Sequence, residues 1–314
     1  MNAHAEVTVI CATRNAREAV RLTFSSFHRY TPERCTVLVA DNGSTDGALD
    51  VLRRFPWIKV FSLRERRALV RAQSMQSHQA IAALNARLDR SVGSLPGTER
   101  ALLISALTTQ VHELDILPES NGQGASTGHG VTLDWLAEKV TTPFLLTLDS
   151  DVEFLATGWL REMLNLLKRA SLTALGEYEP GVCGYRSRLA PHLLLLRTSA
   201  LHTHHWSFRG FVSIEDPDEA KRWRARPKSP NLDAEEAATY RSAAFYSTGA
   251  WLFESLVRTG ERWMAIPESI THKFRHLRHA SWAPYVAKGT SGARKLRAAN
   301  KARQTYIQQR LRLY

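Results

Sequence analysis

The 314-residue sequence has three cysteines, Cys11, Cys35 and Cys183, with no metal-ligand spacing among them. An odd count without that spacing excludes a disulfide framework and a zinc-type cysteine cluster, and it reads as reduced thiols in a cytosolic protein. Long apolar runs are also missing. The pure leucine run Leu193 to Leu196 is strand-sized, whereas a bilayer span takes about 20 residues. The opening MNAHAEVTVI lacks the charged stretch and apolar core of a leader, so the expected location is cytoplasmic. No internal repeat is present, and the glycine-rich stretch Asn121 to Gly130 lacks the Lys-Ser/Thr of a phosphate-binding P-loop. Acidic residues are absent from Lys273 to Tyr314, which carries eleven Lys or Arg and holds nearly all of the net charge of +12. Such a tail suits phosphates, nucleic acid or an anionic membrane surface, and equally a solvated helix. No RNA-recognition or zinc-finger signature accompanies it.

With 44% hydrophobic and 23% charged residues, the chain is globular and long enough to bury a core unaided. Val7 to Ala12, Thr36 to Ala40 and Trp57 to Leu63 read as strands, separated by helices over Ala16 to Tyr30 and Ala48 to Phe55. Strand and helix alternating at this spacing predict a parallel sheet with crossover helices, covered on both faces. From Arg64 to Leu117 the pattern turns helical without a strand, and the glycine-rich stretch after it reads as a return loop. A helix over Val131 to Val140, a strand over Pro143 to Leu148 and a helix over Trp159 to Lys168 follow. The later half is more irregular, with strands at His192 to Arg197 and Trp263 to Ile266, and a helix at Gly249 to Arg258. Between them, Ile214 to Glu236 is charged and proline-punctuated like a loop.

Two acidic clusters fall where strands end: Asp41 with Asp46 in a Gly-Ser-Thr turn, and Asp149 with Asp151. Ligands of open parallel sheets bind outside the carboxyl ends of strands, so both clusters are expected at one crevice. Asp149 and Asp151 lie two apart on an extended chain and point to one side. Paired carboxylates repel unless a cation sits by them, and Mg²⁺ or Mn²⁺ bridging to a diphosphate would supply it. Alone, an Asp-x-Asp is also an ordinary strand-end turn.

Three segments together, Val7-Thr-Val-Ile-Cys-Ala-Thr-Arg-Asn15, Asp41-Asn-Gly-Ser-Thr-Asp-Gly47 and Leu148-Asp-Ser-Asp-Val152, resemble the family-2 glycosyltransferases of the GT-A fold. The resemblance implies an α/β, Rossmann-like chain with a mostly parallel central sheet flanked by helices. The GT-A domain would span 1–63 and 129–282, with a nucleotide half to 151 and an acceptor half from 152. A helical insertion at 64–128 and a basic helical tail at 283–314 complete the expected division. The resemblance places Thr13 and Arg14 near the nucleotide, Asp41 on its base, Ser44 and Asp149 by its ribose, and Asp151 on the metal. His129, Gly130 and Asp134 would contact the nucleotide. His272, in His272-Lys-Phe-Arg275, resembles the manganese-binding histidine of polypeptide N-acetylgalactosaminyltransferases, with His276 and His279 as rivals. Arg275 and Lys273 would face the leaving diphosphate.

The resemblance also implies a Mn²⁺- or Mg²⁺-dependent enzyme moving a sugar from a nucleotide-diphospho-sugar, UDP being the family's commonest donor carrier. The acceptor would be a glycan, a lipid-linked molecule or a small natural product, and inversion is favoured over retention. One position departs from the family: where an acidic base is usual, this chain has Thr248-Gly249. Glu254, or Glu215, Asp216 or Asp218 from the charged loop, would have to replace it; an already nucleophilic acceptor, or retention, would dispense with it. The insertion would cover the acceptor cleft, form a homodimer contact or pack structurally. Trp206, Trp223 and Trp251 would stack on sugar or sit in the core. A nucleotidyltransferase, a donor-binding protein without catalysis, and a basic-tail binder of nucleic acid or membrane surface are the competing readings.

Overall fold

The computed structural model describes residues 5–63, 123–181, 186–213, 244–277 and 291–314. Most of the expected insertion, the 214–236 loop with Glu215, Asp216, Asp218 and Trp223, and also Cys183 and His279, lie outside the described residues. The first half builds β1 (Val7–Thr13), α1 (Arg17–Tyr30), β2 (Cys35–Asp41), α2 (Ala48–Arg53) and β3 (Ile58–Ser62). Then come α3 (Gln123–Ala137), β4 (Phe144–Leu148), β5 (Val152–Phe154), α4 (Trp159–Arg169) and β6 (Ala174–Glu179). They are followed by β7 (Arg188–Arg197), α5 (Thr198–Thr203), β8 (Phe211–Ser213), β9 (Ala244–Tyr246) and α6 (Ala250–Arg258). The last elements are β10 (Trp263–Ala265), α7 (Glu268–Thr271), β11 (Phe274–His276) and α8 (Ser291–Leu311).

Seven strands form one sheet in the order β10-β6-β7-β4-β1-β2-β3. β7 runs antiparallel to both neighbours, β4 and β6, and the other pairs are parallel. Alternation along the strands divides the core into two layers. Val7, Val9, Cys11, Leu146, Leu148, Leu193 and Leu195 join one layer, with Phe24 and Phe27 of α1 and Leu160 and Met163 of α4. Ile10, Ala12, Leu145, Leu194 and Leu196 join the other, with Leu133 and Leu136 of α3 and Leu252 and Leu256 of α6. Apolar cover on both faces is why β1 and β4 are buried along their whole length.

β6 was not expected from the sequence, because Gly176 breaks its apolar run and Glu177 and Glu179 end it. Between Gly176 and Glu177 the register against β7 jumps from Leu194 to Ala190. Pro191 falls inside that bulge, where a residue without an N–H is tolerated.

A second, two-stranded sheet sets β5 antiparallel to β11, pairing Val152 with His276, Glu153 with Arg275 and Phe154 with Phe274. The backbone amide of Leu277 donates to the Asp151 carbonyl at 2.8 Å, extending the pairing to the acid motif. Glu153, with no solvent exposure, accepts hydrogen bonds from the Tyr306 hydroxyl and the Arg310 guanidinium of α8, and from the Tyr314 hydroxyl. Burial first, and then the Glu153 charge, push the Tyr314 phenol up to about 12. Of the expected basic tail, Ser291–Leu311 is thus helical, and its far end is clamped to the strand that follows Asp151. No described helix is long and apolar enough to cross a membrane.

Candidate active site

β1, flanked by β2 and β4, brings the two acidic turns to one edge of the sheet. Thr13 pairs with Asp41, and two strand spacings of about 4.8 Å separate β2 from β4. The turns after β1 and β2 are laced together. The Asn15 amide donates to Ser44 Oγ at 2.9 Å, and Asn15 Oδ1 accepts from the Thr45 amide at 2.7 Å. Asp46 accepts from the Arg17 amide at 2.9 Å and the Ala48 amide at 3.0 Å, so one carboxylate serves the first turns of α1 and α2. Gly47 has φ 87°, a left-handed conformation that suits glycine. This is why the Asp-Asn-Gly-Ser-Thr-Asp-Gly string was legible as a turn.

Asp41 is 1% exposed, and Oδ2 accepts from the Gly43 and Ser44 amides at 3.1 and 3.0 Å while Oδ1 accepts from the Ser44 hydroxyl. Asp41 and Ser44 therefore shape the turn through each other. Beside them the Thr13 hydroxyl is buried without a hydrogen-bond partner, and Arg14 is half-buried at the same strand end.

Asp149, Asp151 and His276 each present one ligand atom, all within 4.8 Å of one another. His276 Nε2 lies 3.3 Å from Asp151 Oδ1 and 3.9 Å from Asp149 Oδ2, and His129 Nε2 of α3 lies 3.5 Å from Asp149 Oδ1. Beneath them the buried Cys11 thiol is pushed well above its usual range, by burial first and then by Asp149 and Asp151. Two carboxylates and an imidazole are oxygen and nitrogen donors suited to Mn²⁺ or Mg²⁺. With Asp151 buried against a second carboxylate, the donor set fits a divalent cation.

The histidine of this triad is His276. His272 is exposed just after α7, and its Nδ1 faces the Glu268 carbonyl at 2.9 Å. Arg275, next to His276 on β11, alternates to the other side and stacks over the Tyr306 ring at 5.1 Å. Lys273 Nζ donates to Glu162 at 2.5 Å. Glu254 accepts from the Tyr246 hydroxyl at 2.6 Å and from Arg258 at 2.5 Å. Burial, then Glu254, push the Tyr246 phenol up to about 12. Trp206 and Trp251 are buried. His202 faces the Ala137 carbonyl at 3.3 Å and His204 faces Glu261 at 3.1 Å.

The glycine-rich stretch expected as a loop is helical from Gln123 onward. A Cβ at Gly130 would lie 2.4 Å from the Phe208 carbonyl oxygen, so glycine there permits close approach of α3 to the 207–209 segment. One turn on, Asp134 accepts from the Ser207 hydroxyl, the Phe208 amide and Arg209 at 2.6, 2.7 and 3.2 Å. Burial nevertheless raises its carboxyl to about 6. The Phe208 carbonyl in turn accepts from the Gly249 amide at 3.0 Å. In this structure Gly130 and Asp134 join α3 to the start of α6.

Beside the triad lie Glu177, which was not singled out from the sequence, and His192, which was expected only as the start of a strand lining the acceptor side. The His192 ring stacks on His276 with centroids 4.1 Å apart, and His192 Nε2 lies 2.9 Å from Glu177 Oε2. No local motif marks them. They meet through the bulge between β6 and β7.

Residues 8–84 match the model described as glycosyl transferase family 2. A search of curated proteins gave no match. Among solved structures, the Pyrobaculum calidifontis mannosyltransferase PcManGT, in complex with GDP-Man and Mn²⁺, is similar at 11% identity and a TM-score of 0.44, over 99% of this chain and 73% of that one. TarS of S. aureus is similar at 15% identity and 0.38, over 95% and 43%. Mouse xyloside xylosyltransferase 1 is similar at 10% identity and 0.39, over 82% and 84%. Residues 8–84 are therefore similar to the family-2 glycosyltransferases, and the described chain is an α/β fold with a mostly parallel central sheet flanked by helices.

Proposed function

We propose that this protein moves a sugar from a nucleotide-diphospho-sugar to an acceptor with the help of a divalent metal. The observation that carries the reading is the placement of Asp149, Asp151 and His276 at the strand edge shared with the laced Thr13–Asn15 and Asp41–Gly47 turns. The turns, with Thr13 and Arg14, would hold the nucleoside. Asp149 would orient the ribose, with His129 beside it, and Asp151 and His276 would hold Mn²⁺ or Mg²⁺. The ion, when bound, supplies charge neutralisation for the departing diphosphate. The acceptor would approach from the side of β6, β7 and the Thr248-Gly249 turn. Lys and Arg along α8 would give a peripheral contact with an anionic surface.

The test is thermal melting of the full chain with UDP-, GDP- and dTDP-sugars, with and without Mn²⁺. A donor that binds the native state raises the melting temperature with its concentration. The expected result is a shift with one nucleotide class that needs the metal. No shift with any donor in the presence of Mn²⁺ would overturn the proposal.

A further inference from the structure

We propose that Glu177 is the general base of the transfer, with His192 as its positioning residue; this rests on the donor reading above and adds the residue that takes the proton. Glu177 opens the last stretch of β6, directly after the bulge, and pairs with Ala190 of β7. Its side chain keeps 33% of its surface open, while that of His192 keeps 2%. A hydrogen bond of 2.9 Å from His192 Nε2 to a carboxylate requires the proton on that nitrogen, and it fixes the carboxylate's direction. The other face of His192 lies on His276, whose Nε2 is 3.3 Å from Asp151 Oδ1. A solvent-open carboxylate thus stands two imidazole rings away from the atoms that would hold the metal and diphosphate. Glu177 thereby stays outside the group of ligand atoms formed by Asp149, Asp151 and His276.

Three other described carboxylates are each held by partners of their own. Glu179 is held by Arg188 at 2.6 Å, and Arg188 also donates to the Thr248 carbonyl at 3.2 Å. The turn that lacks an acid is therefore tied to the same pair of strands that carries Glu177. Glu254 is engaged by Tyr246 and Arg258, and Glu153 is enclosed under α8.

In the step itself the attacking hydroxyl gives its proton to the Glu177 carboxylate as its oxygen bonds to the anomeric carbon. The bond from that carbon to the diphosphate oxygen breaks, and its electron pair leaves with the diphosphate. A single displacement of this kind inverts the anomeric centre. Glu177 then returns the proton to solvent.

The test needs no identified acceptor, because water serves as the nucleophile. The probe is UDP-GlcNAc or GDP-mannose with Mn²⁺, whichever shifts the melting temperature of the full-length protein. Release of the nucleoside diphosphate (UDP or GDP) and the melting shift are read on the same samples. Glu177→Gln should keep the donor-induced shift and lose release by roughly 10²- to 10⁴-fold, the span a positioned base supplies. Glu177→Asp should recover part of the rate. His192→Gln, which can place an N–H near the original one, should stay closer to wild type than His192→Leu, with Mn²⁺ binding kept in both. Release by Glu177→Gln within a few-fold of wild type, with the donor shift intact, would overturn the assignment. If the Gln variant fails to fold, Glu177→Asp decides: a wild-type rate overturns the assignment and a partial one supports it. Absence of a donor shift in the wild-type protein would instead overturn the donor reading itself.

Discussion

The imidazole of His192 lies on that of His276 with 22° between their planes, so a residue of the main sheet supports a residue of the small β5–β11 sheet. Neither is near the other in sequence, and neither is near the acid pair. The triad exists because β11 runs back along β5 and sets His276 opposite Val152, the residue after Asp151.

That register separates the histidines experimentally. Asp151→Asn and His276→Ala should each weaken Mn²⁺ binding by about 10-fold or more, on the scale of losses at metal sites. His272→Ala, whose ring already faces the Glu268 carbonyl, should leave Mn²⁺ affinity unchanged. Titration calorimetry with Mn²⁺ on the full chain checks both.

Glu153 gives a stability prediction. Arg310→Met removes a cationic partner of a carboxylate without exposure, and stranding such a charge costs about 3 kcal/mol. Adding Glu153→Gln should restore much of that loss, since the buried charge goes with its partner. Urea unfolding of the two variants measures the difference. A single and a double variant of equal stability would contradict the clamp.

Gly130→Ala tests the packing of α3. The added methyl would meet the Phe208 backbone at 2.4 Å, and forcing such overlap costs about 1–3 kcal/mol. Gly128→Ala is the control, because nothing lies within 4 Å of a Cβ there. It should be neutral or slightly stabilising through better helix propensity.

Asp134 predicts a pH dependence. Burial raises its folded carboxyl from the ordinary 3.8 to about 6. Between those values the native state holds a proton that the unfolded chain has released. This contribution to stability is therefore full below about 4 and is lost as pH rises through about 6. Urea midpoints measured from pH 4 to 7 should show that fall in the wild type and lack it in Asp134→Asn.

The first half of the fold was legible because its signals are local. β-branched, doubly covered strands announce themselves as apolar runs, and the Asp41–Gly47 string carries its turn in its own side chains. The acid pair was legible for the same reason. Long-range pairing carries no such signal: β5 and β11 are three residues each, and only their antiparallel register selects His276. Glu177, and its contact with His192, were hidden by a bulge that no periodicity reveals. The glycines before Val131 misled in the opposite direction. Read as chain breakers, they mark in part a helix pressed against another backbone.

The Phe208 main chain fastens two helices of one apolar layer, α3 and α6. Its amide is held by Asp134 of α3, its carbonyl by the amide that opens α6, and Gly130 removes the side chain that would keep them apart. Two helices far apart in the sequence are thereby joined through the two peptide groups that flank one residue. A substitution that disturbs this residue's backbone would therefore reach both helices at once.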